Sequence, residues 1–194
     1  MARRSLGLCS AATRAFVEQC EFLSLGCYCA PAYALQLLGL RKHSYPFDWT
    51  RTSLQSILDC IDARFMDFMW YSTYQQMGPH HVFGGTPWGG AFWHHNPLCE
   101  TTCNDMQKRS QRFMGLMEVG PRTSRFFIRV VNAAHEIRRC LELRHRLQSL
   151  YAGDVYVVLV LEMQKDRGPV IVNTPDGGCD AWWWKLKVVA FTGS

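Results

Sequence analysis

The chain has 194 residues, 48% hydrophobic and 13% aromatic, enough to bury one substantial core and short for two. Only 19% of the residues are charged and no long polar or Pro/Ser-rich stretch interrupts them, which excludes an intrinsically disordered chain. The net charge of +5 is spread over Arg3-Arg4, Arg41-Lys42 and residues 108–112 and 138–146 without a recognised nucleic-acid motif, so no nucleic-acid partner is expected.

In chain order, residues 1–20 read as an N-terminal extension: basic at Arg3 and Arg4, with an apolar part too short for a signal peptide or a membrane span. Residues 21–25 form a short apolar run that stops at Gly26, the pattern of a buried strand feeding a turn. Residues 30–38 then have helical spacing, with Pro31 suited to the first turn and Gly39 to the stop. A loop held by aromatics follows at 44–49. The spacing of Leu54, Ile57, Leu58, Ile61 and Phe65 predicts a second helix over 52–69.

Residues 72–100 are rich in Gly, His, Pro and Trp and lack periodicity, so they read as a long irregular segment of the kind that often carries function. Thr102 opens a predicted helix to about 117, with Asp105 as capping partner. The β-branched run 125–131, a helix from Asn132 to about 151 and the apolar run 154–161 predict a parallel strand, helix, strand unit. Residues 170–172 and 187–191 could add strands. The fold class expected is α/β, a single domain over 21–194 with a mainly parallel sheet flanked by helices, continuing past Ser194.

Nine cysteines, an odd number without a repeating framework, predict mostly reduced thiols and favour a cytoplasmic location. If a helix begins near Ala30, Cys29 lies at its N-cap, where unsatisfied N–H groups and the helix dipole favour a thiolate. Gly26 permits a sharp bend before it, and Cys27 lies in that turn. A thiolate nucleophile needs an imidazole within reach. Of the seven histidines, His94 and His95 follow an apolar approach and precede Asn96, an amide able to orient a ring. A buried structural cysteine and a hydrogen-bonded loop histidine remain the plain alternatives. Asp48 could serve an imidazole or substrate while Phe47 and Trp49 wall a pocket, or it could cap the next helix.

His95, Cys99 and Cys103 lie at four-residue steps and, with Cys27 and Cys29, form an alternative zinc set, although Pro97 breaks the helical register between them. Trp182-Trp183-Trp184 reads as an aromatic run packed over the core.

Ser24-Leu25-Gly26, two residues, then Cys29-Ala30, followed by Leu35, Leu38-Gly39-Leu40-Arg41 and Ser44-Tyr45-Pro46-Phe47-Asp48-Trp49, resembles the opening of the putative papain-like cysteine peptidase family. Arg109 to Phe113 and Phe126-Phe127-Ile128-Arg129 extend the resemblance to roughly residues 22–162. It implies a cysteine-dependent hydrolase, a peptidase or acyl transferase, acting on a peptide or other acyl substrate without a cofactor or metal. Cys29 would be the nucleophile and most reactive thiol, with His95 as its base. Asn96 stands where the family more often has an acid, and His94 leaves the register of the base open by one residue.

Overall fold

A computed structural model of the chain describes residues 2–7, 9–162, 168–170 and 188–190. Two helices, α1 (Ala2–Ser5) and α2 (Ala11–Gln19), precede the first strand, and Ser10 caps α2 by accepting the Thr13 N–H at 3.0 Å. Strand β1 (Cys20–Ser24) is buried along its whole length. After a sharp turn comes α3 (Ala30–Leu37), with Pro31 in its first turn and Gly39, at φ 61°, just past its end. Strand β2 (Thr50–Arg51) leads into α4 (Leu54–Asp62), whose start is fixed by a reciprocal capping box between Ser53 and Ser56. The remaining elements are β3 (Thr73–Met77), β4 (His80–Gly84), β5 (Ala91–Phe92), α5 (Glu100–Phe113), β6 (Ser124–Val131), α6 (Ala134–Arg138), α7 (Cys140–Gln148), β7 (Val155–Leu161), β8 (Gly168–Val170) and β9 (Val188–Ala190).

The main sheet has the order β1-β6-β7-β9-β8; its first four strands run parallel and β8 is antiparallel to β9. Register puts Phe22 beside Phe126 and Phe126 beside Tyr156, and the rings stack at 5.1 and 4.5 Å between centroids. One residue further on, Leu23, Phe127 and Val157 line the opposite face. The first face packs on α2 and α3 through Val17 and Leu35, so a helix within the expected N-terminal extension contributes to the core. The second face packs on α4, α5 and α7, where Leu54, Ile57, Phe113, Leu143 and Leu147 join the larger core. A fully buried side chain of this kind stabilises by about 1.5–3 kcal/mol.

The structure corrects several expected elements. Helix α4 ends at Asp62, seven residues before the predicted limit, because Arg64, Phe65 and Asp67 take positive φ of 49, 60 and 53°. Phe65 and Phe68 are nevertheless buried, which is why the periodicity ran on. Helix α5 starts at Glu100 after Cys99, without a side-chain cap from Thr102 or Asp105. The helix expected from Asn132 divides at Arg139, whose N–H bonds the Glu136 carbonyl three residues back and closes α6 as a tight turn. Residues 72–100 are not irregular throughout: they hold β3, β4 and β5, which with β2 form an antiparallel sheet of order β2-β5-β4-β3. The expected strand segments at 170–172 and 187–191 fall partly on β8 and β9. Their remaining residues, Cys179 and the three tryptophans lie outside the described residues.

Candidate active site

In α/β sheets a ligand crevice lies beyond the carboxyl ends of parallel strands. The chain leaves β1 through Leu25, Gly26 and Cys27 and leaves neighbouring β6 through Asn132, so both segments emerge at that end of the sheet. Gly26 has φ 68°, and a side chain there would collide with Thr52 Oγ1 and press on the Phe47 and Thr50 carbonyls at 3.1 and 3.3 Å. Cys27 also takes a left-handed conformation, φ 81°, uncommon for a residue with a side chain. Its N–H donates to Thr52 Oγ1 at 3.1 Å, which holds the turn against the loop before α4.

Beneath this turn lies a buried ion pair. Arg129 on β6 forks onto both Glu136 carboxylate oxygens at 2.8 and 2.9 Å, and its other amino group donates to the Leu25 and Thr52 carbonyls, each at 3.0 Å. Glu136 in turn accepts the Leu54 N–H at 2.9 Å. One guanidinium thus ties the ends of β1 and β6 to the starts of α4 and α6. Fixing geometry is the best-attested use of such a pair, since desolvation offsets much of its Coulombic gain.

Above the turn is a cavity of about 490 Å³, lined by Cys27, Tyr28, Cys29, Trp49, Thr50, Arg51, His80, Trp93, His94 and Asn132. Cys29 caps α3 with αR backbone and no side-chain cap bond, and its carbonyl accepts the Tyr33 N–H at 3.1 Å. Burial pushes the Cys27 thiol up, opposed chiefly by Arg129 and reinforced by Glu136 and Glu162, so Cys27 resists ionisation. The His94 ring meets Trp49 and His80 edge to face, with centroids 6.0 and 5.9 Å away.

His95 faces elsewhere. It is not among the cavity-lining residues, and its Nε2 sits 3.1 Å from an Arg109 amino group. Arg109 can only donate, so Nε2 accepts and Nδ1 carries the hydrogen, buried without a partner. Burial, then the Arg109 charge and His94, hold this imidazole down at about 4, so it stays neutral at physiological pH. The two supporting residues read from the sequence are engaged within their own loops. Asn96 Oδ1 accepts the Leu98 N–H at 2.9 Å, while buried Asp48 accepts the Tyr45 N–H and the Arg41 Nε–H, both at 2.9 Å, and caps no helix. Trp49 carries Arg41 over its ring at 5.6 Å.

The zinc alternative finds no such assembly: among the described residues no group of three or more His, Cys, Asp or Glu side chains is arranged to hold a metal ion. Cys103 Sγ instead faces the Pro97 carbonyl at 3.1 Å. All eight described cysteines are free. No described helix is long and apolar enough to cross a membrane.

The family comparison covers this turn. Residues 20–82 match the family described as "Putative papain-like cysteine peptidase". That segment carries Cys27, Cys29, Trp49, Thr50, Arg51 and His80 of the cavity and stops before Trp93, His94 and Asn132. An uncharacterised protein of Acanthamoeba polyphaga mimivirus is 48% identical over 48 residues, 24% of this chain and 22% of that protein. The match thus spans under a quarter of the relative's length. No solved structure matches.

Sequence reasoning missed Tyr28, Thr50, Arg51, His80, Trp93 and Asn132 as cavity residues. Four of the six belong to, or directly follow, the small antiparallel sheet, whose strands carried no apolar alternation to betray them.

Proposed function

We propose that the chain is a cysteine-dependent hydrolase or acyl transferase in which Cys29 attacks a carbonyl carbon and His94 serves as its base. The observation that supports this most is that Cys29, at the N-terminus of α3, and His94 line one open cavity at the carboxyl ends of β1 and β6. His94 takes the thiol proton, the sulfur–carbon bond forms, and the carbonyl electrons move onto oxygen as a transient oxyanion. Collapse of that intermediate expels the leaving group, which receives the proton from His94. Water or another acceptor then attacks the thioester and restores the thiol.

The Cys27 N–H is already committed to Thr52 and Pro31 has none, so the Cys29 and Ala30 N–H groups and the Asn132 amide are the oxyanion donors on this reading. Trp49 and His80 hold the His94 ring by its edges, in place of the more usual hydrogen-bonding acid or amide. An electrophilic probe such as a peptide chloromethyl ketone, with the labelled residue found by peptide mass spectrometry, tests the assignment. Labelling at Cys29 that is lost in Cys29→Ser and weakened in His94→Ala is the expected result; label elsewhere, or indifference to His94, counts against it.

A further inference from the structure

The chemistry of the cavity wall bears on what Cys29 would act upon, an argument that rests on the reading just given. No Asp or Glu is among its lining residues, whereas Arg51 and two histidines are. Arg51 is exposed on β2 and, among the described residues, has no ion-pair partner. Burial raises the neighbouring Cys27 thiol and the Arg51 charge acts against that rise, so its field reaches into the turn. Glu136 and Glu162 also act on Cys27, but neither lines the cavity, and Glu136 is already neutralised by Arg129.

The wall also holds polar atoms without a partner. Thr50 and Trp93 line the cavity, and Thr50 Oγ1 and Trp93 Nε1 are both buried without a partner. An indole nitrogen can only donate, and an unpaired buried donor is costly until an acceptor arrives. An unneutralised guanidinium, a lining without carboxylates and indole walls from Trp49 and Trp93 together suit a planar anion with several acceptor lone pairs. We infer that the cavity selects acyl substrates bearing a carboxylate close to the scissile carbonyl, with Arg51 as the specificity-determining residue at its rim.

The test compares iodoacetate with iodoacetamide, two alkylating agents that differ in a carboxylate and lose the same iodide. Rates are read at Cys29 by peptide mass spectrometry, with glutathione giving the intrinsic ratio. The iodoacetate to iodoacetamide ratio at Cys29 is expected to exceed that of glutathione, on the order of fivefold for one nearby charge, and Arg51→Gln should erase the excess. Lys108→Gln, an exposed charge on α5 outside the cavity, should leave it intact. Protection of Cys29 by N-acetylaspartic acid α-amide would place the carboxylate on an acidic side chain, and protection by N-acetylglycine would place it at a chain terminus. A ratio equal to that of glutathione and unmoved by Arg51→Gln overturns the inference while leaving the nucleophile standing. If neither reagent modifies Cys29, it is the reading of Cys29 as nucleophile that fails.

Discussion

Among the described residues two cysteines stand at helix N-caps, and their surroundings differ. Cys29 opens α3 in the lining of a cavity that His80 and His94 also line, while Cys99 opens α5 outside that cavity, partly exposed, with its sulfur 3.0 Å from Thr101 Oγ1. The Cys99 thiol is drawn down to about 7, first by the Thr101 hydroxyl and then by Thr102. An acidified cysteine at a helix N-terminus is therefore not by itself an active site: hydroxyls and N–H groups can stabilise a thiolate with no base to cycle its proton and no cavity to hold an acyl group. The comparison separates ionisation from catalysis, and substitutions at the two caps should separate them too.

The largest effect is expected from the caps themselves. Cys29→Ser should abolish modification by an acyl-mimicking electrophile, whereas Cys99→Ser should remove only the background of simple alkylation; mass-spectrometric occupancy of the two peptides reads both. Next comes the base. His94→Ala should slow Cys29 modification by the same electrophile on the order of a hundredfold near neutral pH. It should leave Cys99 unchanged, because no imidazole contributes to that thiol. Equal slowing of both peptides would point to a global structural effect and dissolve the distinction.

The adjacent His95 should behave in the opposite way, affecting stability rather than labelling. Its imidazole is held neutral down to about 4, against about 6.5 in the unfolded chain. Between those values the unfolded state binds a proton that the folded state refuses, so stability falls as pH drops through the window and levels off below it. The partial exposure of the ring discounts the full shift to about 2 kcal/mol. Burial raises the Asp48 carboxyl, which works in the reverse sense at low pH, so the useful quantity is the difference between wild type and His95→Gln in urea midpoints. A difference curve that is flat from pH 6.5 to 4 would remove the basis for treating His95 as structural.

The main sheet was legible because its central strands are rich in β-branched and aromatic residues: residues 125–131 and 154–161 fall within one residue of β6 and β7, and their parallel pairing follows from the helical connection. The turn was equally plain, since Gly26 and Pro31 have local backbone roles that residue type reveals. The opposite wall was not. Every residue of β3 is exposed and only Phe83 of β4 is buried, so neither strand shows the alternation that marks a half-buried sheet. His94 and His95 are adjacent and chemically identical, and which one meets the cavity depends on how β5 pairs with β2 and β4, a tertiary fact. The Arg129–Glu136 pair was hidden for a related reason: an arginine amid an apolar strand discloses no partner until the chain has folded.

The smallest effect sharpens the comparison at the other cap. Thr101→Val keeps the shape of the side chain and removes the hydroxyl, leaving Cys99 with the Thr102 contribution and the Thr101 N–H. The inflection in its alkylation rate should rise from about 7 by roughly one unit, still short of the value of about 8.5 for a free thiol. At pH 7 that change takes the thiolate from half of the population to about a tenth, a rate loss of about fivefold. Above pH 10 both forms are fully ionised, and the variant should react slightly faster, because a more basic thiolate is intrinsically more nucleophilic. A loss that persists at high pH would mean that Thr101 controls access rather than charge. No change at either pH would remove the hydroxyl from the account of Cys99 and leave the Thr102 contribution and helix position as the cause there. Modification of Cys29, followed in the same digests, should not move with Thr101, since that hydroxyl is not part of the cavity.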